Sequence, residues 1–279
     1  MKLMEAGILV VDDNREMCSL VQNICRQEGF NRVEAAFSSR EAESMVGGGG
    51  VDLIILDVNM PGDTELAPFL EHMKGQQITE KAMLKFHTGT INHVNVSAVY
   101  SGVCKVNAAI AAQLLIDMFH VDLIINAGTA GGMKEGVQLF DTVISERVIY
   151  HDVADDILTD FHPWLKSNYF LADQELCAIA RAYSRTSKHP VLFGTMVTGE
   201  QFIEDEKREE INQKFDPLST DMETAGVAHV CYVNRIPFLA VRTITDTVTH
   251  QGIETFDQNC EAASEISAEI VLGILGQLD

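Results

Sequence analysis

Three short stretches of the chain set acids, glycines and hydroxyls where they could act on a sugar and a base. In residues 219–234 (STDMETAGVAHVCYVN), Asp221 and Glu223 bracket Met222 as an amphipathic helix begins. A carboxylate at a helix start often serves only as a cap that favours the dipole. Capping accounts well for one acid and less well for two with a methionine between them. A bidentate carboxylate beside an apolar side chain suits a ribose diol with a flat face above it. In residues 242–246 (RTITD), Asp246 closes a buried strand. A carboxyl there can hold a proton and pass it to a ring nitrogen, which departure of a purine base requires. In residues 125–133 (INAGTAGGM), an apolar strand runs into Gly128-Thr129-Ala130-Gly131-Gly132. Small residues let the backbone approach a ligand and the hydroxyl can bond a sugar or an anion, although a plain tight turn would use the same residues.

The elements that must carry these groups alternate between strand and helix. Residues 7–12, 32–37 and 51–58 read as buried strands separated by helices at 14–30 and 38–46, a βαβαβ pattern that predicts a parallel sheet. Gly47 to Gly50 is a flexible joint or a loose turn. Further on, the patterning predicts helices over 64–74, 107–119, 173–186, 223–234 and 257–277. Strands are expected at 85–91, 94–102, 121–128, 141–151, 191–199 and 237–246, with 152–170 poorly patterned. Each polar cluster follows the carboxyl end of a strand, where α/β sheets bind ligands.

Bulk properties narrow the ligand class. Forty-one acidic against 20 basic residues give a formal charge of −21, which repels nucleic acid and anionic membranes and favours a small-molecule partner. Six cysteines lie scattered without CxxC spacing, as buried reduced thiols would. The first residues lack a signal-peptide core and no apolar run reaches the ~18 residues of a membrane span, so a cytoplasmic protein is expected. No cofactor and no metal are expected. His151 with Asp152 could be read as a metal pair, but a hydrogen-bonded loop brace is the preferred reading.

Taken together, IINAGTAGG, DMETAGVAHVC and VRTITD resemble the purine nucleoside phosphorylase/uridine phosphorylase superfamily, and within it the 5′-methylthioadenosine/S-adenosylhomocysteine nucleosidases. The resemblance implies a three-layer α/β/α fold around a mixed, partly barrel-like sheet, and a homodimer. It further implies that Glu223 grips the ribose hydroxyls, Met222 packs against the sugar and Asp246 protonates adenine at N7. Phe202 and Ile203 match the segment that stacks on adenine and bonds its edge. Thr129 stands where the family usually has a serine near Asp246. Val103 matches an apolar position on the thioalkyl side, and Phe256 an aromatic of the pocket near the dimer seam. The implied reaction passes through an oxocarbenium-like ribosyl cation attacked by water, which a second carboxylate activates. Glu65, in MPGDTELAPFLEHM, is the best match to that base, with Glu16 as the rival. The early glycine-aspartate-proline-arginine element of phosphate-using members is absent, so water is the favoured nucleophile. A phosphate-dependent phosphorylase and a futalosine-type hydrolase are the alternatives within the class.

Residues 7–62 resemble instead the first half of a response-regulator receiver domain. That likeness implies Mg²⁺ held by Asp12, Asp13 and Asp57, with Asp57 as phosphoryl acceptor. The later switch residues of a receiver are missing. Residues 1–50 are therefore assigned to a receiver-like βαβα extension and 51–279 to a nucleosidase domain, with strand 51–58 in the nucleosidase sheet. A receiver-linked module that only senses nucleosides is the alternative of another class.

Overall fold

A computed structural model describes residues 7–11, 15–27, 30–36, 45, 53–56, 61–161, 165–203, 205–249 and 252–278. The chain divides into two compact units, residues 1–64 and 65–279.

In the first unit, β1 (Gly7–Val11), α1 (Arg15–Gln27), β2 (Arg32–Ala36) and β3 (Leu53–Leu56) build a parallel sheet of order β2-β1-β3. The apolar run of β1 fits a strand flanked on both sides, with Ile8, Leu9 and Val10 all buried. Ile8, Val10 and Val33 enclose Cys18 of α1. The pairing of β3 departs from the sequence expectation that residues 51–58 join the sheet of the second unit. Leu53–Leu56 instead runs beside Ile8–Val11 in parallel register. Two uniformly apolar strands satisfy each other's backbone groups, and nothing in so short an apolar run specifies which sheet it joins. The expected helix at 38–46, apart from Met45, and Asp12, Asp13 and Asp57 lie outside the described residues.

The helix α2 (Pro61–His72) leads into a meander of β4 (Lys74–Lys81), β5 (Leu84–Ile91) and β6 (Val94–Val99). Its two hairpins turn on Ala82-Met83 and Asn92-His93, all four at positive φ, as two-residue turns that match strand twist demand. Then come α3 (Lys105–Phe119), β7 (Ile124–Gly132), β8 (Thr142–Tyr150), the single turn α4 (Ile157–Asp160) and β9 (Phe170–Leu171). They are followed by α5 (Gln174–Ser184), β10 (Val191–Thr198), α6 (Asp205–Phe215), β11 (Ser219–Asp221), α7 (Thr224–Asn234), β12 (Phe238–Asp246) and α8 (Ile253–Leu275).

The main sheet has the order β10-β11-β7-β12-β8-β9, and β10 also pairs with β8, so five strands close on themselves. Parallel and antiparallel ladders mix around this ring, and the expected mixed, partly barrel-like α/β sheet is what the chain forms. Every residue of β12 is buried. Phe238, Ala240 and Ile244 face a core shared with α3 and α7, whereas Leu239 and Val241 face one shared with α5 and α8. That alternation puts helices on both faces. Among the described residues no helix is long and apolar enough to cross a membrane.

Candidate active site

The carboxyl ends of β7 and β12 lie side by side, and β11 pairs there antiparallel to β7 before the chain enters α7. Asp221 ends β11 and turns its carboxylate into the helix start. Its Oδ1 accepts from the backbone N–H groups of Glu223 (3.1 Å) and Thr224 (3.0 Å) and from Thr198 Oγ1 (2.7 Å). Its Oδ2 accepts from Thr224 Oγ1. Asp221 therefore takes the N–H groups of Glu223 and Thr224 at the start of α7, and Thr198 Oγ1 takes that of Ala225. Glu223 occupies the N-cap position yet makes no side-chain cap bond. Of the two acids around Met222, Asp221 is used at the helix start and Glu223 makes no cap bond.

Glu223 reaches across the site. Its Oε1 accepts from Cys104 N at 2.9 Å, and its Oε2 lies 3.3 Å from Arg242 Nη2. Arg242 is buried and anchored by Asn126 Oδ1 (2.8 Å), Thr224 Oγ1 (3.1 Å) and the Thr129 carbonyl (3.1 Å), with Asp221 Oδ2 at 3.6 Å. Burial pushes the Glu223 carboxyl above its ordinary value, and the negative charge of Asp221 adds to this. Arg242 and the N–H groups of Cys104 and Met222 pull it back.

Asp246 ends β12, just past an irregularity in its pairing with β7, and is buried. A side chain on Gly131 would meet Asp246 Oδ2 at 3.1 Å, so the glycine is what lets β7 run beside the acid. Thr245 Oγ1 donates to Oδ1 at 3.1 Å. Arg208 Nη2, from α6, stands 3.5 Å from Oδ2. Burial raises the Asp246 pKa, against the lowering effects of the Thr245 hydrogen bond and the Arg208 charge. A carboxyl held protonated above the ordinary range can act as a general acid near neutrality.

The remaining sequence candidates fall as follows. The rings of Phe202 and Phe256 meet edge-to-face with centroids 6.3 Å apart, so both aromatics line one place within a single chain. Ile203 is buried beside Phe202 and its carbonyl accepts from Arg208 at 3.2 Å. Met222 is half-buried between Asp221 and Glu223. Val103 is exposed, one residue before the Cys104 N–H that holds Glu223. Thr129 is buried and its carbonyl binds Arg242, whereas the hydroxyl bonded to Asp246 is that of Thr245. Glu65 falls in α2 and Glu16 in α1, but both side chains lie outside the described residues. Asp152 binds Lys105 Nζ (2.8 Å) and Glu200 N (3.0 Å), in the manner of a loop brace. The His151 ring occupies the space that a side chain on Gly199 would need.

Sequence reasoning missed Thr245, Arg208, Asn126 and the Cys104 N–H. Thr245 could have been found from its place beside Asp246. Arg208 sits in DEKREEINQKF, where nothing distinguishes a buried arginine from a solvated one. A cavity of about 700 Å³ elsewhere in this unit runs along β6 and β7, with Val96, Ala111, Gly128 and Ser267 in its wall, and lies apart from both acids.

The chain matches the Phosphorylase superfamily over residues 53–276. It is 37% identical over 216 residues to the 5′-methylthioadenosine/S-adenosylhomocysteine nucleosidase of Bacillus subtilis, covering 75% of this chain and 91% of the relative. With the nucleosidase of the same name from Oceanobacillus iheyensis it shares 31% over 221 residues, 77% of this chain and 96% of the relative. Among solved structures, the Neisseria meningitidis nucleosidase in complex with methylthio-immucillin-A superposes with a TM-score of 0.72 at 28% identity, covering 77% of this chain and 96% of that one. The Colwellia psychrerythraea nucleosidase in complex with adenine superposes with a TM-score of 0.71 at 32% identity, covering 77% and 92%.

Proposed function

Because the chain belongs to the phosphorylase superfamily, among its 5′-methylthioadenosine/S-adenosylhomocysteine nucleosidases, we propose that it hydrolyses the N-glycosidic bond of these two nucleosides to release adenine. The observation that carries this reading is the buried Asp246 carboxyl, whose pKa burial raises at the end of β12. Binding alone has no need of a proton donor.

In the reaction, the C1′–N9 bond breaks as Asp246 gives its proton to N7, and the electron pair of the bond leaves with the base. Water adds to the ribosyl cation at C1′ and loses its proton to a carboxylate, for which Glu65 is our candidate and Glu16 the rival. Glu223 accepts hydrogen bonds from the ribose hydroxyls. Its pairing with Arg242 and Cys104 N supports that role by holding the carboxylate in one orientation before substrate arrives. Met222 packs on the sugar, and Phe202 and Phe256 form the walls around adenine, with Ile203 at its edge. Thr129 shapes the floor near Asp246, and Val103 borders the thioalkyl group.

Residues 51–279 are the proposed catalytic region, which the family match beginning at residue 53 supports, while the pairing of Leu53–Leu56 with β1 puts that strand in the sheet of the first unit. Residues 1–50 are a receiver-like extension, for which the parallel pairing of β1 with β2 is the supporting feature. The protein is a cytoplasmic homodimer. Six free cysteines support a reducing compartment, and exposed Val103, Val106, Ile110, Tyr232 and Val233 on the paired helices α3 and α7 and the turn before α3 support a self-associating face.

Incubating the protein with either nucleoside in phosphate-free buffer should release adenine and the corresponding 5-thioribose. Release that depends on phosphate would make it a phosphorylase, and tight binding without release would make it a sensor.

A further inference from the structure

The guanidinium of Arg208 is almost wholly buried, with 4% of the side chain exposed, and so is its ion-pair partner Asp246, with 3%. Arg208 lies on α6, a helix whose other residues are mostly polar, and it turns inward. Three groups receive it. Nη1 donates to the carbonyl of Gly132, at the end of β7. Nη2 donates to the carbonyl of Ile203, beside Phe202, and to Asp246 Oδ2. One cation thus ties the glycine-rich strand, the aromatic segment and the acid together. Removing so buried a charge from water is costly, and these contacts of Nη1 and Nη2 offset the cost while Nε is buried without a hydrogen-bond partner among the described residues.

Resting on the proposed hydrolysis, we infer that Arg208 is a positioning residue for the proton donor, holding Asp246 beside the base-binding segment and stabilising the carboxylate that appears once the proton has moved to N7. Before transfer Asp246 is neutral and gains little from the cation. As the proton leaves, negative charge develops 3.5 Å from Nη2 between two almost wholly buried side chains, and the attraction grows with it. The opposed effects of burial and Arg208 set the proton affinity of Asp246 between those of an exposed and an isolated buried carboxyl. The groups facing Asp246 allow this assignment. From its own strand comes the Thr245 hydroxyl, from β7 the Gly131 backbone, from α6 Arg208, and α8 contributes uncharged Asn259, which donates to the Thr245 carbonyl. Asp221, Glu223 and Arg242 are tied to one another on the sugar side.

The test is the pH dependence of kcat/KM for 5′-methylthioadenosine, which reports ionisations of the free enzyme. Arg208→Gln should lower kcat/KM at least ten-fold at neutral pH and move the basic limb of the profile to higher pH, because the acid loses its neighbouring cation. Arg208→Lys, which keeps the charge but not the forked contact, should return the limb to its wild-type position while kcat/KM stays lowered. A loss of rate in Arg208→Gln with the limb unmoved would reduce Arg208 to packing and overturn the inference. Should Arg208→Gln not fold, a basic limb displaced upward in Arg208→Lys would overturn it as well. If the wild-type protein itself releases no adenine, the proposed function has failed rather than the role of Arg208.

Discussion

Arg242 Nη2 stands 3.3 Å from Glu223 Oε2, and the same nitrogen is 2.8 Å from Asn126 Oδ1. An arginine this well anchored leaves Glu223 one way to lie, with its other oxygen on Cys104 N. The carboxylate is thereby oriented by two strands and a helix start before any sugar reaches it, which lowers the ordering cost of binding.

Glu223→Gln keeps the shape of the side chain and removes its charge. Hydrogen bonds to a charged group contribute about 1.5–3 kcal/mol, so KM for either nucleoside should rise about ten-fold or more. Steady-state adenine release measures it. A KM within two-fold of wild type would place the ribose elsewhere.

Asp246→Asn cannot donate a carboxyl proton. Loss of a general acid reduces rates by roughly 10²–10⁴-fold, and kcat should fall in that range with KM changed much less. Isothermal binding of adenine to the variant checks that the site is still formed.

The same acid makes a prediction about stability. Its pKa is raised in the folded chain, so folding takes up a proton between the ordinary carboxyl pKa and the raised one. The contribution of Asp246 to stability is therefore greatest below the unfolded value and declines as pH rises through the folded one. Relative to wild type, Asp246→Asn should gain stability as pH rises across that window. Urea midpoints measured from pH 4 to pH 8 would refute this by staying parallel.

Gly199→Ala tests the packing of the His151 ring against the Gly199 backbone. A Cβ at Gly199 would fall on His151 Nε2, inside the contact limit of any pair of atoms. The ring must move, and overpacking of this kind costs about 1–3 kcal/mol. A lowered unfolding midpoint is expected, and an unchanged one would show that the ring swings aside freely.

Phe202→Ala and Phe256→Ala remove the two rings that meet edge-to-face. Each should raise the dissociation constant of adenine, and the double variant should cost less than the sum of the singles, since each ring partly exists to hold the other. Strict additivity would mean that the rings act in separate places.

Much of the site was legible because its chemistry sits at the ends of strands that announce themselves. The apolar start of the strand that ends at Asp246, residues 238–241, points to burial on both faces, and every residue of β12 is buried. The glycines after Ile125 imply close approach, although what approaches Gly131 is the Asp246 carboxylate. Other elements carried no periodic signal. Strand β4 reads KGQQITEK, is exposed throughout and is held by its pairing with β5. Helix α6 reads DEKREEINQKF, and its inward-facing arginine looks like its outward-facing charges until a partner is seen.

The sequence by itself determined the alternation of strand and helix, the two-faced burial of the main sheet, and the identity of Glu223 and Asp246 as the acids to watch. These follow from local spacing and from the few ways apolar strands can be covered. Only the tertiary structure decided that Asp221 caps a helix while Glu223 does not, that Thr245 and Arg208 attend Asp246, and that Leu53–Leu56 pairs with β1. Each of these depends on which group meets which across dozens of residues of chain. Hydrogen-bond partners and sheet neighbours are chosen by proximity in space, and local residue spacing does not record that choice.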